Sequence, residues 1–201
     1  MGMLSALKLR VVDEIGRPGL LRQAGDYIER AIAHYASERF WFNIRSGTTT
    51  TTAGNAYATL PAGLQREDGA FVTQGGLLVP LERRAFSEFE DLNAGSASTG
   101  QPSDYAICDG QARLYPTPAA AYTLTFPGIY AETAFANDAA SNAWSTEAAD
   151  LIAARAKMLI YRNVLRDVEG AQIEAQAEAE ALAQLRAETV QRLGSGTLKT
   201  G

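Results

Sequence analysis

Cysteine and histidine are almost missing from this 201-residue chain, which has one of each. Cys108 has no second cysteine for an internal disulfide, a usage compatible with a reducing compartment. Cys108 and His34 lie on distant segments and cannot supply a Cys/His zinc site, so neither metal nor cofactor is expected. Long apolar runs are missing too. The longest, around Leu77–Leu81, falls far short of the roughly 20 residues of a membrane-spanning helix. The first ten residues lack the basic start and apolar stretch of a secretory signal. Cations are in deficit, with 18 Lys+Arg against 23 Asp+Glu and a net charge of −5. Residues 44–146 hold most of the acid surplus, 10 acidic residues to 5 basic ones. Nothing here clusters the cations that attract a phosphate backbone. No Gly-x-Ser-x-Gly elbow, P-loop or Gly-x-Gly-x-x-Gly occurs either. These absences favour a soluble product of the cell interior without nucleotide, metal or membrane chemistry.

What is present suffices for a real core, since 46% of residues are hydrophobic and 20% charged. Leu4, Leu7, Val11 and Ile15 follow helical spacing up to Gly16-Arg17-Pro18-Gly19. A second helix is predicted over Leu21–Arg39, running into the aromatic knot Phe40-Trp41-Phe42-Asn43. From Ile44 to about Ala131 the pattern is that of strands: Thr48–Thr52, Tyr57–Leu60, Ala70–Thr73, Leu77–Glu82, Tyr105–Cys108, Ala112–Tyr115 and Tyr122–Tyr130. Gly75-Gly76 and Asp109-Gly110 read as hairpin turns, and Phe86–Leu92 as a short helix. Phe126-Pro127-Gly128 should bulge the last strand or put it at an edge. Asn93–Pro102 and Thr133–Ser145 read as loops. A third long helix is predicted from a cap at Ser145 or Thr146 to Leu165, with Leu151, Ile152, Leu159, Ile160 and Val164 on its apolar face. Asp167 offers a cap for the last helix, Val168–Leu193. That helix is rich in Ala and Glu; an alanine face buries little area, at about 25 cal/mol per Å², so it should need close packing against another helix or subunit.

The expected fold class is α+β: a helical bundle of two N-terminal and two C-terminal helices, with an inserted antiparallel β domain and an extended C-terminal tail. Residues 1–43 and 146–193 form the helical part, 44–145 the β-rich insertion and 194–201 the tail. Candidate chemistry is thin. Glu88, Glu90 and Asp91, or Asp104 and Asp109, could be paired for glycan hydrolysis, but any chain with 23 acidic residues offers such pairs and solvated surface is the plainer reading. His34 has no companion nucleophile or carboxylate in sequence. Arg155, Arg162 and Arg166 fall on one helix face at i, i+7 and i+11. They either face a partner or channel, or bridge to Glu169, Glu174 or Glu178 on the next helix. Both readings hold together if that helix comes from a neighbouring subunit, so Arg155, Arg162, Arg166, Glu174 and Glu178 are the candidate subunit interface. Tyr57, Tyr105, Tyr115, Tyr122 and Tyr130 either mark a recognition face or pack across strands.

Several motifs in order resemble the head-to-tail adaptors of tailed bacteriophages, especially the tail-tubular-protein-A-like adaptors of short-tailed phages. They are Phe40-Trp41-Phe42-Asn43-Ile44, the strand Tyr57-Ala-Thr-Leu60-Pro61, the element Phe86-Ser-Glu-Phe89-Glu-Asp-Leu92-Asn93, and Gly100-Gln-Pro102-Ser-Asp-Tyr105-Ala-Ile107. The hairpin Gln111-Ala-Arg-Leu114-Tyr115-Pro116-Thr-Pro118 with Tyr122-Thr-Leu-Thr-Phe126 follows, then the two closing helices and the Gly/Thr/Leu tail. The resemblance implies a virion structural protein, not an enzyme, made in the host bacterial cytoplasm and placed at the neck between head and tail. It implies a homo-oligomeric ring of twelve under the portal protein, with genomic DNA passing through its lumen without specific binding. The helical part would be portal-proximal and the β part would dock the tail nozzle protein. The tail, with Leu193, Thr197, Leu198 and Lys199, would grip the portal. A carboxylate-pair glycan hydrolase and a generic cytosolic interaction module are the alternatives.

Overall fold

The computed structural model describes residues 2–93 and 98–194. The chain is mixed α+β and divides into two compact units, one comprising residues up to Asn43 and from Ala131 onward, the other Ile44–Tyr130. Thr197, Leu198, Lys199 and the rest of the tail beyond Gly194 lie outside the described residues.

In the first unit, α1 (Met3–Glu14) buries Leu4, Leu7, Val11 and Val12. It stops at Gly16, whose φ of 64° suits a residue without Cβ. A short 3₁₀ turn, Pro18–Leu20, leads into α2 (Leu21–Tyr35), which buries Ala24, Gly25, Ile28, Ala31 and Tyr35. The helix ends four residues before the predicted Arg39 because a side chain takes over the backbone. Fully buried Asn43 accepts from the Phe40 N–H at 3.0 Å and donates to the Glu38 carbonyl at 2.7 Å. That clamp presents Phe40 and Phe42 edge-on to Trp144, at ring-centroid distances of 5.8 and 5.1 Å.

The last strand ends at Tyr130, next to the expected Ala131, and the return segment 131–142 groups with the helical unit. Its carbonyls supply acceptors for N–H groups in the first turn of α1: Ala140 for Leu4 and Asp138 for Ser5, at 3.3 and 3.1 Å. The expected cap is also displaced. Asn142, not Ser145 or Thr146, caps the short helix α4 (Ala143–Thr146) in a reciprocal pair with Ser145. Helix α5 (Ala149–Ile160) then starts with no side-chain cap. A π-helical turn over Tyr161–Leu165 and a left-handed Arg166 (φ 57°) connect it to α6 (Val168–Leu193). Asp167 caps α6 as expected, accepting from the Gly170 N–H at 3.0 Å. One apolar core joins α1, α2, α4, α5 and α6.

The second unit is a sheet of β1 (Ile44–Thr50), β2 (Tyr57–Thr59), β3 (Leu64–Glu67), β4 (Ala70–Gln74), β5 (Leu77–Arg83), β7 (Asp104–Cys108), β8 (Gln111–Tyr115) and β10 (Thr123–Tyr130). The order is β1-β10-β4-β5-β7-β8-β2, with β3 also on β10. The expectation of a purely antiparallel insertion is corrected twice. Strands β5 and β7 pair in parallel, which demands a crossover, and α3 (Phe86–Asn93) lies in that connection. The two-residue strands β6 (Thr99–Gly100) and β9 (Thr117–Pro118) are parallel as well.

Strand β10 is not an edge despite Pro127. It pairs with β1 from Thr123 to Ile129 and on its other side with β4 and then β3. The Pro127 carbonyl accepts from the Asp68 N–H at 2.8 Å, in the link between β3 and β4. Because N and O of an extended residue point the same way, the missing proline donor falls at that link instead of facing β1. At Gly128 a Cβ would lie 2.2 Å from the Arg66 carbonyl oxygen, so only glycine lets β3 approach. The predicted irregularity does occur, as a register shift between Ile129 and Tyr130 against β3.

Candidate functional site

The residues singled out for a subunit interface lie on α5, α6 and the turn between them. Helix α6 has 26 residues, yet its buried ones are Glu178, Leu185 and Thr189. Polar contacts hold much of it. Arg155 Nη1 lies 2.5 Å from Glu178 Oε1, which also accepts from the Tyr35 hydroxyl. The Arg155 guanidinium sits 5.5 Å from the centre of the Tyr35 ring. Burial first, then the bond to Glu178, pushes the Tyr35 phenol far above its ordinary range.

One level along, Lys157 Nζ lies 2.6 Å from Glu14 and 2.8 Å from Glu174. Burial pulls against the Lys157 ammonium, but the two carboxylates outweigh it and raise its pKa. Burial likewise opposes the charge on Glu14, and its bonds from Lys157 and Arg10 prevail, lowering that carboxyl. Near the far end of α6, Thr189 Oγ1 accepts from the Trp41 N–H at 3.3 Å, and the Arg192 guanidinium lies 3.8 Å over the Trp41 ring. Buried Trp41 Nε1 and Arg155 Nε have no hydrogen-bond partner among the described residues.

The five interface candidates therefore separate. Arg155, Glu174 and Glu178 are engaged inside the chain, Arg155 by the helix-to-helix bridge that the sequence offered as one option. Arg162 and Arg166 take no part in it. The π turn inserts an extra residue into the helical register, so spacing counted at 3.6 residues per turn no longer holds past Ile160. Val164, expected on the apolar face, is 38% exposed for the same reason. The Arg162 side chain reaches only Asn163, at 3.3 Å, and the Arg166 side chain has no partner among the described residues. Leu193 ends α6 half-exposed. The Tyr35–Glu178 bond, which joins α2 to α6, had no signal in the sequence.

The other candidates are dispersed. Asp104 is buried, with Arg84 Nε 2.5 Å away and a bond from Ser103. Glu88 and Asp91 are exposed on α3, and Asp109 occupies a turn at φ 49°. The Glu90 side chain lies outside the described residues. His34 is exposed, edge-on to Tyr35 at 4.8 Å. No metal-binding cluster of His, Cys, Asp or Glu occurs among the described residues, and no helix there is long and apolar enough to cross a membrane. Among the tyrosines, Tyr105 packs on Phe126, Tyr115 on Phe89, and Tyr130 bonds the Phe126 carbonyl. Tyr57 is exposed under the Arg113 guanidinium.

Residues 4–200 match the family model described as SU10 adaptor protein, and the chain belongs to that family. No curated protein matches it.

Proposed function

We propose that the protein is a virion structural component of the phage neck, a head-to-tail adaptor that assembles as a ring beneath the portal. The observation that carries this reading is the family match, which spans all but a few residues of the chain. In the proposed assembly twelve copies pack through their helical units. The lumen continues the DNA channel, and the β units dock the tail nozzle. Two features support it. The charge of −5 suits a passage that must not hold DNA. The alanine-rich α6 leaves Val168, Ile173, Val190 and Leu193 at least half exposed, apolar surface available to a neighbour. Leu193, Thr197, Leu198 and Lys199 are assigned to portal contact. No catalytic role is part of the proposal.

Mixing the purified chain with portal and imaging the product by negative stain tests this directly. A ring capping the portal is expected, and a chain that stays monomeric and indifferent to portal refutes it. Deleting Thr197–Gly201 should weaken portal attachment while the circular dichroism spectrum stays unchanged. Undiminished attachment would sink the tail assignment.

A further inference from the structure

Two surfaces of the helical unit combine exposed apolar area with charges of opposite sign. At the corner between α5 and α6, Met158, Val168, Ala171 and Ala175 contribute the apolar lining of an open groove of about 510 Å³, and Arg162, Arg166 and the α6 cap Asp167 its charged lining. Val168 is 71% exposed there. Neither guanidinium meets a carboxylate of its own chain among the described residues. The second groove, about 390 Å³, has Ile32, Ala36, Phe135 and Trp144 in its apolar lining, with Glu29 and Glu132 as its charged residues. Asp26, three residues before Glu29, shares that face of α2. Both carboxylates are exposed and have no partner among the described residues. Of the nearby cations on α2, Arg30 lies over the Tyr27 ring, and Arg22 is one turn closer to the start of the helix.

We propose that the Arg162/Arg166 groove receives the Asp26/Glu29 edge of α2 from a second copy of this chain. The inference rests on the adaptor reading and names the contact by which its copies join. Two arginines against one aspartate leave the arginine groove net positive, with Asp167 already engaged by the Gly170 N–H, so a contact with itself is disfavoured. It must meet a different surface, and the acidic groove carries the complementary composition: two opposite charges beside an apolar lining. Exposed ion pairs are individually weak, so the apolar surfaces supply most of the affinity. The guanidinium–carboxylate pairs set register and exclude wrong partners. A contact between two different surfaces leaves one of each free at the ends of a dimer, so it propagates until a ring closes. A duplex is a poor alternative occupant, since two cations in an apolar groove of an acidic protein offer little to a phosphate backbone.

The test uses the full-length chain with portal, in three arms. One variant carries Arg162→Glu with Arg166→Glu, and a second carries Asp26→Lys with Glu29→Lys. The third arm is their equimolar mixture. Ring formation is read by native mass spectrometry and folding by circular dichroism. All four positions are exposed, so both variants should fold. Each alone should assemble about tenfold or more weakly than the parent. The mixture should restore assembly, because every groove then faces an oppositely charged edge, and its rings should alternate the two variants. Assembly that survives either reversal overturns this contact alone. So does a mixture that fails to recover. Failure of the parent chain to assemble at all overturns the adaptor reading and the contact with it.

Discussion

Replacing Glu178 by alanine separates a buried polar clasp from a decorative one. Glu178 has a side chain 10% exposed, and Arg155 one 18% exposed. Removal leaves the Arg155 guanidinium and the Tyr35 hydroxyl without their shared acceptor, and Arg155 Nε is already unpaired. Breaking one partner out of a buried pair costs about 3–5 kcal/mol, because the other charge stays desolvated. The residual exposure of Arg155 lets water reach it, which puts the expected loss at about 3 kcal/mol. The outer bridge Arg186–Glu38, with side chains 54% and 38% exposed, supplies the comparison at about 0–1 kcal/mol.

The assay is built into the chain. Its two tryptophans, Trp41 and Trp144, both belong to the helical unit, so their fluorescence follows that unit while the sheet remains silent. Urea titration of Glu178→Ala should show the midpoint falling with little change in slope, and the thermal midpoint should drop by roughly 10–20 °C. Glu178→Gln keeps an acceptor for Tyr35 but not the charge for Arg155, and should fall between. Converting the whole cluster to apolar residues, Glu178→Leu with Arg155→Met and Tyr35→Phe, should recover most of the loss. A cost under about 1 kcal/mol for Glu178→Ala would refute the reasoning, because the clasp would then behave as surface.

Four further outcomes follow from the geometry of the two units. The lowered pKa of Glu14 means that its stabilisation is present above its ordinary value of 4.5 and is lost as pH falls through the folded value. Tryptophan-detected stability should therefore decline on acidification through and below pH 4.5, less steeply in Glu14→Gln. Lys157, raised above 10.5, should cost stability only on the alkaline side, as pH rises beyond that value. Gly128→Ala should destabilise the sheet unit by about 1–3 kcal/mol or more, seen as lost hydrogen-exchange protection along β10 and β3 with tryptophan fluorescence unchanged. Asp167→Ala should remove about 0.5–2 kcal/mol by uncapping α6, and Asp167→Asn should restore most of it.

How far each element was legible depended on whether its cause was local. Helix α1 is written in Leu4, Leu7 and Val11, and the Asp167 cap in its position before an unbroken helical run. The hairpin between β7 and β8 is written in Asp109-Gly110, both of which take positive φ. Where the cause is tertiary, local reading fails. Asn43 shortens α2 from eight residues beyond its end, by a side chain whose acceptor and donor are both used. Pro127 suggests an edge strand to any rule that sees one strand at a time. The chain places its missing donor where β3 hands over to β4, so an interior position costs no ladder bond to β1. The parallel β5–β7 pair depends on α3 as a crossover, and nothing inside either strand encodes direction.

The α5–α6 region shows the same division within a single motif. Arg155, Arg162 and Arg166 form one stripe only if the helix keeps its period. The π turn divides that stripe, sending Arg155 inward to Glu178 and leaving Arg162 and Arg166 outside, beside exposed Val168. Helix α6 is consequently held to its own chain by a few polar clasps and one large buried aliphatic, Leu185, while its remaining alanines stay small and its valines stay exposed. Ala175 and Ala179 are exposed and Ala171 is half-buried, so leucine there would add nothing to the chain's own core and would fill the space through which another helix could come close. Small side chains on the outward face and fixed charges on the inward one hold α6 in place and leave it open to a neighbour.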